Sequence, residues 1–127
     1  MKVEDFTTVS YAKNEHEFEI ALRRRYGNEI NEFWLSHEDD NHPAISILVN
    51  GDLASLHYFP AEHESGFRSV GKIESLKPGE MSIFFVSKTE EIYVINDSVV
   101  LFSAALTVAK EFFNFKKLPA SIEWFEL

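Results

Sequence analysis

The amino-acid sequence predicts an α+β fold: an antiparallel, meander-like sheet of about five or six strands packed with two main helices. Three observations predict it. A helical pattern runs near the end of the chain, from about Leu101 to Phe115. A shorter one follows Asn14. Between them, alternating apolar residues form consecutive strands joined by turn residues, with no helical crossover.

The later helix is the element the rest must cover. Ser103, Thr107, Lys110 and Asn114, with Glu111 beside them, make a single polar stripe at helical period, and the other positions are apolar. Lys116 and Lys117 suit its negative C-terminal end, and Pro119 stands where a helix cannot continue. Ile122, Trp124 and Leu127 frame a short strand.

From the other end, Val3 to Tyr11 reads as one strand. Asn14 with Glu17 resembles a capping-box start, Phe18, Ala21, Leu22 and Tyr26 recur at helical spacing, and Gly27 closes the helix. Arg23, Arg24 and Arg25, the only basic run, read as a solvated helix end. Glu32 to Ser36 is a strand, and His37 to Pro43 a polar turn. Ala44 to Phe59 is the strongest local signal. Ile45, Ile47 and Val49 alternate, Asn50-Gly51 supplies a hairpin turn, and Ala54, Leu56 and Tyr58 alternate on the return. These six define a core face, while Ser46, Leu48, Ser55 and His57 make the opposite face half-buried. Pro60 to Gly71 is a loop in which Phe67 begins a short strand. Lys77 to Glu80 is a turn, and Met81–Val86 and Glu91–Ile95 are two further strands. Nothing reads as a linker or a repeat, so residues 1–127 form one domain.

Composition narrows the function classes. The chain has 127 residues, 45% hydrophobic and 26% charged, enough for a real core. It has no cysteine, which excludes disulfides and thiolate metal sites and fits a reducing cytoplasm. No apolar signal region follows Met1-Lys2-Val3-Glu4-Asp5, and no run approaches a membrane span, so a cytoplasmic location with no membrane contact is expected. The net charge of −9 argues against a direct nucleic-acid partner, since phosphate contacts need Lys and Arg. It fits a basic protein partner, but on charge alone simple solubility is the better reading.

Candidate chemistry is sparse. The turn His37-Glu38-Asp39-Asp40-Asn41-His42 collects ligand-type side chains without the spacing of a metal helix or a calcium loop. His57 with Glu62 or Glu64 could serve as a general base, and His57 with His63 as a small-ligand or metal-dependent enzyme site, the alternative reading. No nucleophile elbow, P-loop or dinucleotide fingerprint accompanies them, so no catalytic residue, metal or cofactor is expected. Phe33, Trp34, Phe67, Trp124 and Phe125 are candidate interface anchors. Trp124 and Phe125 at a subunit contact would instead make an oligomeric structural module.

One further signal comes from the tail: Val99-Val100, Ala105, Ala109, Phe112 and Phe113, then Pro119, Ile122, Glu123, Trp124 and Glu126-Leu127. With the hairpin around Asn50-Gly51, Tyr58 and the run Gly66-Phe67-Arg68-Ser69-Val70-Gly71, it resembles the immunity proteins of bacterial polymorphic toxin and contact-dependent inhibition systems. It looks closest to those that neutralise deaminase toxins. Leu101 stands where that family often has a small polar cap, and Ile73 to Asp97 has no clear counterpart. The resemblance implies a cytoplasmic, non-enzymatic protein, a monomer or weak dimer, that binds a cognate toxin domain acting on nucleic acid, a deaminase or nuclease, and blocks its basic cleft. Loop carboxylates suit such a cleft, so Glu38, Asp39, Asp40, Glu62 and Glu64, with Phe67 as apolar anchor and Arg68 beside it, are the expected toxin-binding residues.

Overall fold

The computed structural model describes residues 1–127. Its centre is the hairpin that alternation predicts. Strands β4 (Ala44–Asn50) and β5 (Leu53–Phe59) pair from Ala44↔Phe59 to Asn50↔Leu53. The two-residue turn is therefore Gly51-Asp52, one residue later than the pattern places it, with Gly51 at φ 61° in the left-handed region. Ile45, Ile47, Val49, Ala54, Leu56 and Tyr58 all point into the core, none more than 6% exposed.

The sheet grows from both edges of this hairpin. On one side β3 (Ile30–Ser36) pairs with β4, and β1 (Lys2–Glu4) lies between β3 and β2 (Val9–Tyr11). The single strand expected for Val3 to Tyr11 is thus a hairpin. The Asp5 carboxylate breaks it by accepting the backbone N–H groups of Thr7 (3.0 Å) and Thr8 (2.9 Å), an Asx-type turn.

The other edge of β5 is shared. Strand β6 (Phe67–Val70) takes its C-terminal half and β9 (Val99–Leu101) its N-terminal half, while β10 (Glu123–Glu126) closes the sheet against β6. Eight strands result, in the order β10-β6-β5-β4-β3-β1-β2 with β9 beside β5. Strands β7 (Met81–Phe85) and β8 (Glu91–Ile95) form a separate hairpin. The fold class is α+β with an antiparallel meander at its centre, and ten strands replace the expected five or six. Three of the ten, β1, β2 and β9, have three residues each, too short for alternation to show.

Both helices cover one face. In α1 (Glu15–Leu22) the Asn14 side chain accepts the Glu17 N–H at 2.9 Å, and the Glu17 carboxylate accepts the Lys13 N–H at 2.9 Å. The helix stops at Leu22, not at Gly27, which lies at φ 48° in the turn that leads into β3. The arginines beyond it are not a solvated run. Arg24 pairs with Asp5 at 2.9 Å. Arg25 donates to the Leu22 carbonyl at 2.8 Å and lies over the Phe102 ring at 4.4 Å. Helix α2 (Phe102–Asn114) buries Ala105, Leu106, Val108, Ala109 and Phe112 against the core face. Glu111 then accepts the N–H groups of Ala120 (2.9 Å) and Ser121 (3.1 Å), which turns the chain back so that β10 reaches the sheet.

On the opposite, outer face, β7 lies against β4 and β3 near the hairpin turn. The Asn50 amide donates to the Ile83 carbonyl at 3.0 Å, and Phe84 is fully buried. The other half of that face stays open. No helix is long and apolar enough to cross a membrane.

Gly71 shows how tightly the β6–β9 junction is closed. Its N–H donates to the Asp97 carbonyl at 2.9 Å. A Cβ built on it would lie 1.6 Å from the Val99 carbonyl oxygen. Backbone cannot retreat as a side chain can, so Gly71→Ala is expected to cost about 3 kcal/mol. Urea denaturation checks this; an unchanged midpoint would show that β9 shifts freely.

Candidate protein-binding site

Strand register decides what the site contains. Ser36, Ala44 and Phe59 are cross-strand neighbours. The 37–43 loop and the 60–66 loop therefore leave the sheet at the same end, opposite the Gly51-Asp52 turn.

The first loop is docked on the end of α2. His37 Nε2 lies 3.1 Å from the Phe112 carbonyl oxygen, and its ring meets the Phe112 ring edge-on at 5.1 Å. Burial lowers the His37 pKa, the nearby Lys116 and N-terminal ammonium push the same way, and the Phe112 carbonyl opposes them. The ring is thus neutral near pH 7 and donates its Nε2–H to the carbonyl. Glu38 reaches the N-terminal ammonium at 3.4 Å, and Asp40 pairs with Lys116. Asp39 makes no ion pair. Of the three carboxylates, two pin the loop and one is unpaired.

The second loop is held at its base. The His57 ring lies flat on Phe59, 3.9 Å between centroids and 2° from parallel, and its Nε2 meets the Ser65 carbonyl oxygen at 2.6 Å. Gly66 sits at φ 77°, where a Cβ would come within 2.1 Å of the Tyr58 carbonyl oxygen. The Leu127 N–H donates to the Gly66 carbonyl at 2.9 Å. At the tip, Glu62, His63 and Glu64 are exposed, and the Glu62–His63 pair, at 3.7 Å, is the only side-chain pairing among them.

Phe67 and Arg68 fall outside this loop. Phe67 is in β6, opposite Tyr58 on the core face, half-buried against the core. Phe67 thus begins the strand expected of it, with its ring turned to the core face. Arg68, opposite His57, faces the outer side with its guanidinium 4.8 Å from the Phe125 ring and one Nη buried without a hydrogen-bond partner.

The exposed aromatics are elsewhere. Phe33 is fully buried, whereas Trp34, one residue on, is 40% exposed and Phe125 is 51% exposed. Strand β4 carries only Ala44 and Ser46 beneath them, so the rings of Trp34 on β3 and Phe59 on β5 meet across it at 5.5 Å, nearly parallel. A groove of about 140 Å³ runs beside this pair, lined by Lys2, Glu4, Trp34, Ser36 and Asn41 among others. Glu32 stands two residues before Trp34 on the same face. Burial raises its carboxyl pKa, the Trp34 indole offsets part of that, and no cation pairs with it. Phe59 is the residue that sequence reasoning missed. Its signal was its phase, since it continues the Ser55, His57 series away from the core.

His57 and His63 have different surroundings. His57 has its Nε2 engaged with backbone, and His63 stands at the loop tip with an exposed side chain (89%). No histidine lines any of the five principal surface clefts. No three His, Asp or Glu side chains are grouped so as to hold a metal.

No protein-family model matches the chain. It is similar to the double-stranded DNA deaminase immunity protein of Burkholderia cenocepacia (strain H111), at 28% identity over 106 residues, which cover 84% of this chain and 83% of that one. The likeness to deaminase-toxin immunity proteins first read from the tail and the central hairpin therefore extends over most of the chain.

Proposed function

We propose that this chain, like the protein it resembles, is an immunity protein: it binds a cognate DNA deaminase toxin domain in the cytoplasm and neutralises it, without catalysis of its own, by occupying the toxin's basic cleft. The observation that carries the reading is the likeness over 84% of the chain. The geometry supports the mode of action. An enzyme that acts on DNA needs cationic side chains along its cleft to hold phosphates. This protein presents Asp39, Glu62 and Glu64 at one end of a rigid sheet, on loops tied down at their bases by His37, His57 and Gly66. Loops held at their bases lose less backbone entropy on binding, and their carboxylates compete with phosphate for the same cations.

Co-expression with the toxin domain encoded beside it should restore growth, and the purified pair should elute as a 1:1 complex. A wild-type protein that binds no such toxin refutes the reading. The combined variant Asp39→Lys, Glu62→Lys, Glu64→Lys should slow association about tenfold at low salt and flatten its salt dependence. Its thermal stability should be unchanged. Glu38 and Asp40 stay out of that variant, because reversing them would also detach the loop from the N-terminus and from Lys116. An association rate equal to wild type would move the contact surface elsewhere.

A further inference from the structure

The carboxylates of the loop end account for steering, but charged rims seldom hold a complex together; buried aromatic anchors do. The free protein leaves one such set open. Trp34, Phe59 and His57 form a continuous stack on the outer face: Trp34 to Phe59 at 5.5 Å, Phe59 to His57 at 3.9 Å. The groove beside Trp34 joins this stack to Asn41 of the first acidic loop.

We propose that the Trp34–Phe59–His57 stack is the apolar centre of the toxin interface, and that the groove beside it receives an arginine or lysine side chain from the rim of the toxin's basic cleft. This rests on the reading that the partner is a DNA-acting toxin.

Charge complementarity selects that occupant. Acid predominates around the stack: Glu4 lies directly opposite Trp34 on β1, where Lys2 offsets it at 3.5 Å, Glu32 precedes Trp34 on β3, and Asp39 and Glu62 belong to the two loops at its end. Glu32 has no cation of its own in the free protein, so a partner's cation there gains a pairing and removes a desolvated, unpaired carboxylate. A guanidinium against an indole or phenyl face adds cation–π attraction. The protein already makes that contact on the same face, where Arg68 of the neighbouring strand stacks on Phe125 at 4.8 Å and marks the end of the strip. A second exposed apolar surface is the β7–β8 hairpin, with Met81 59%, Ile83 41% and Tyr93 62% exposed. It is flanked by both signs, Lys77 and Lys88 with Glu80 and Glu91, and offers no matching field for a basic partner.

The test uses the full chain and the purified toxin domain encoded beside it. Trp34→Ala and Phe59→Ala should each weaken the complex about 30-fold, mostly through faster dissociation. The pair Met81→Ser, Tyr93→Ser should bind as wild type. Folded Trp34→Ala and Phe59→Ala variants that bind within about twofold of wild type overturn the proposal, and so does a loss confined to the β7–β8 variant. A second measurement needs no variant. In fluorotryptophan-labelled wild type, the Trp34 fluorine resonance should shift on adding unlabelled toxin while that of half-buried Trp124 moves less; an unmoved Trp34 signal overturns it. If wild type binds no toxin, the function itself falls, whereas wild-type binding with indifferent Trp34 and Phe59 removes only this surface. Light scattering that shows a dimer broken by Trp34→Ala would assign the strip to a second copy instead. Binding of a single-stranded oligonucleotide lost in the same variant would assign it to nucleic acid.

Discussion

Phe112→Ala is expected to destabilise the protein by about 4 kcal/mol, the range for emptying a large aromatic site in a closed core. Phe112 is fully buried and its ring meets Tyr58 edge-on at 6.2 Å and His37 at 5.1 Å. Removing it opens a cavity between α2 and β5 and takes away the surface on which the first acidic loop rests. Two readouts separate these effects. Urea denaturation should show the stability loss. Hydrogen exchange at Glu38 to Asn41 should rise in the folded variant beyond what the global change predicts, because the His37 anchor has lost its support. A loss under 1 kcal/mol would mean that neighbouring side chains collapse into the space.

The second large effect lies far from that end. Asp5 has a fully buried side chain that accepts hydrogen bonds from Thr7, Thr8, the Tyr26 hydroxyl (3.1 Å) and Arg24 (2.9 Å), with Asn31 at its margin (3.5 Å). Removing one member leaves the others buried without partners, so Asp5→Ala should cost about 3 kcal/mol near neutral pH. The effect carries a pH signature. Burial alone would raise the Asp5 carboxyl, but the Thr7, Arg24, Thr8 and Asn31 bonds together hold it below its ordinary value of 3.8. A carboxyl lowered by folding stabilises above its unfolded value, and that contribution disappears as pH falls through the folded one. The gap between wild type and Asp5→Ala should therefore narrow steadily below about pH 4. Melting curves at pH 7 and pH 3 check it, and a constant gap would show that Asp5 acts by shape alone. His37 acts in a different window. Its pKa is lowered, so its share of stability is present above about pH 6.5 and is lost as pH falls below that. Mild acid should loosen the first acidic loop before it touches the Asp5 turn.

These cases show what the sequence could carry. Period-two alternation over Ile45–Val49 and Ala54–Tyr58 is long and framed by a turn, so face and partner strand were both legible. The polar stripe of α2 was legible for the same reason. The three-residue strands β1, β2 and β9 were not, because their pairing is chosen by neighbours distant in sequence. The arginine run misled because charge pattern cannot show that Asp5 and Phe102 come to meet it. At the site, that both acidic loops leave one end followed from hairpin geometry. That Lys116 and the N-terminus neutralise two of their carboxylates did not, and nor did the contact between Trp34 and Phe59, which depends on the small side chains of β4.

The shared edge of β5 has a kinetic consequence. Strands β3, β4 and β5 are joined by short loops and pair with little chain to close, so they can form early. Strands β9 and β10 must return across the whole intervening β7–β8 segment before they meet β5 and β6. Their arrival is expected to be the slow, entropically costly part of folding, and until then the N-terminal half of β5 presents an open edge. The bond from Leu127 to Gly66 at the base of the second acidic loop is therefore made late. Refolding followed at Trp124 should lag refolding followed at Trp34, and competence to bind a partner should appear with the slower of the two.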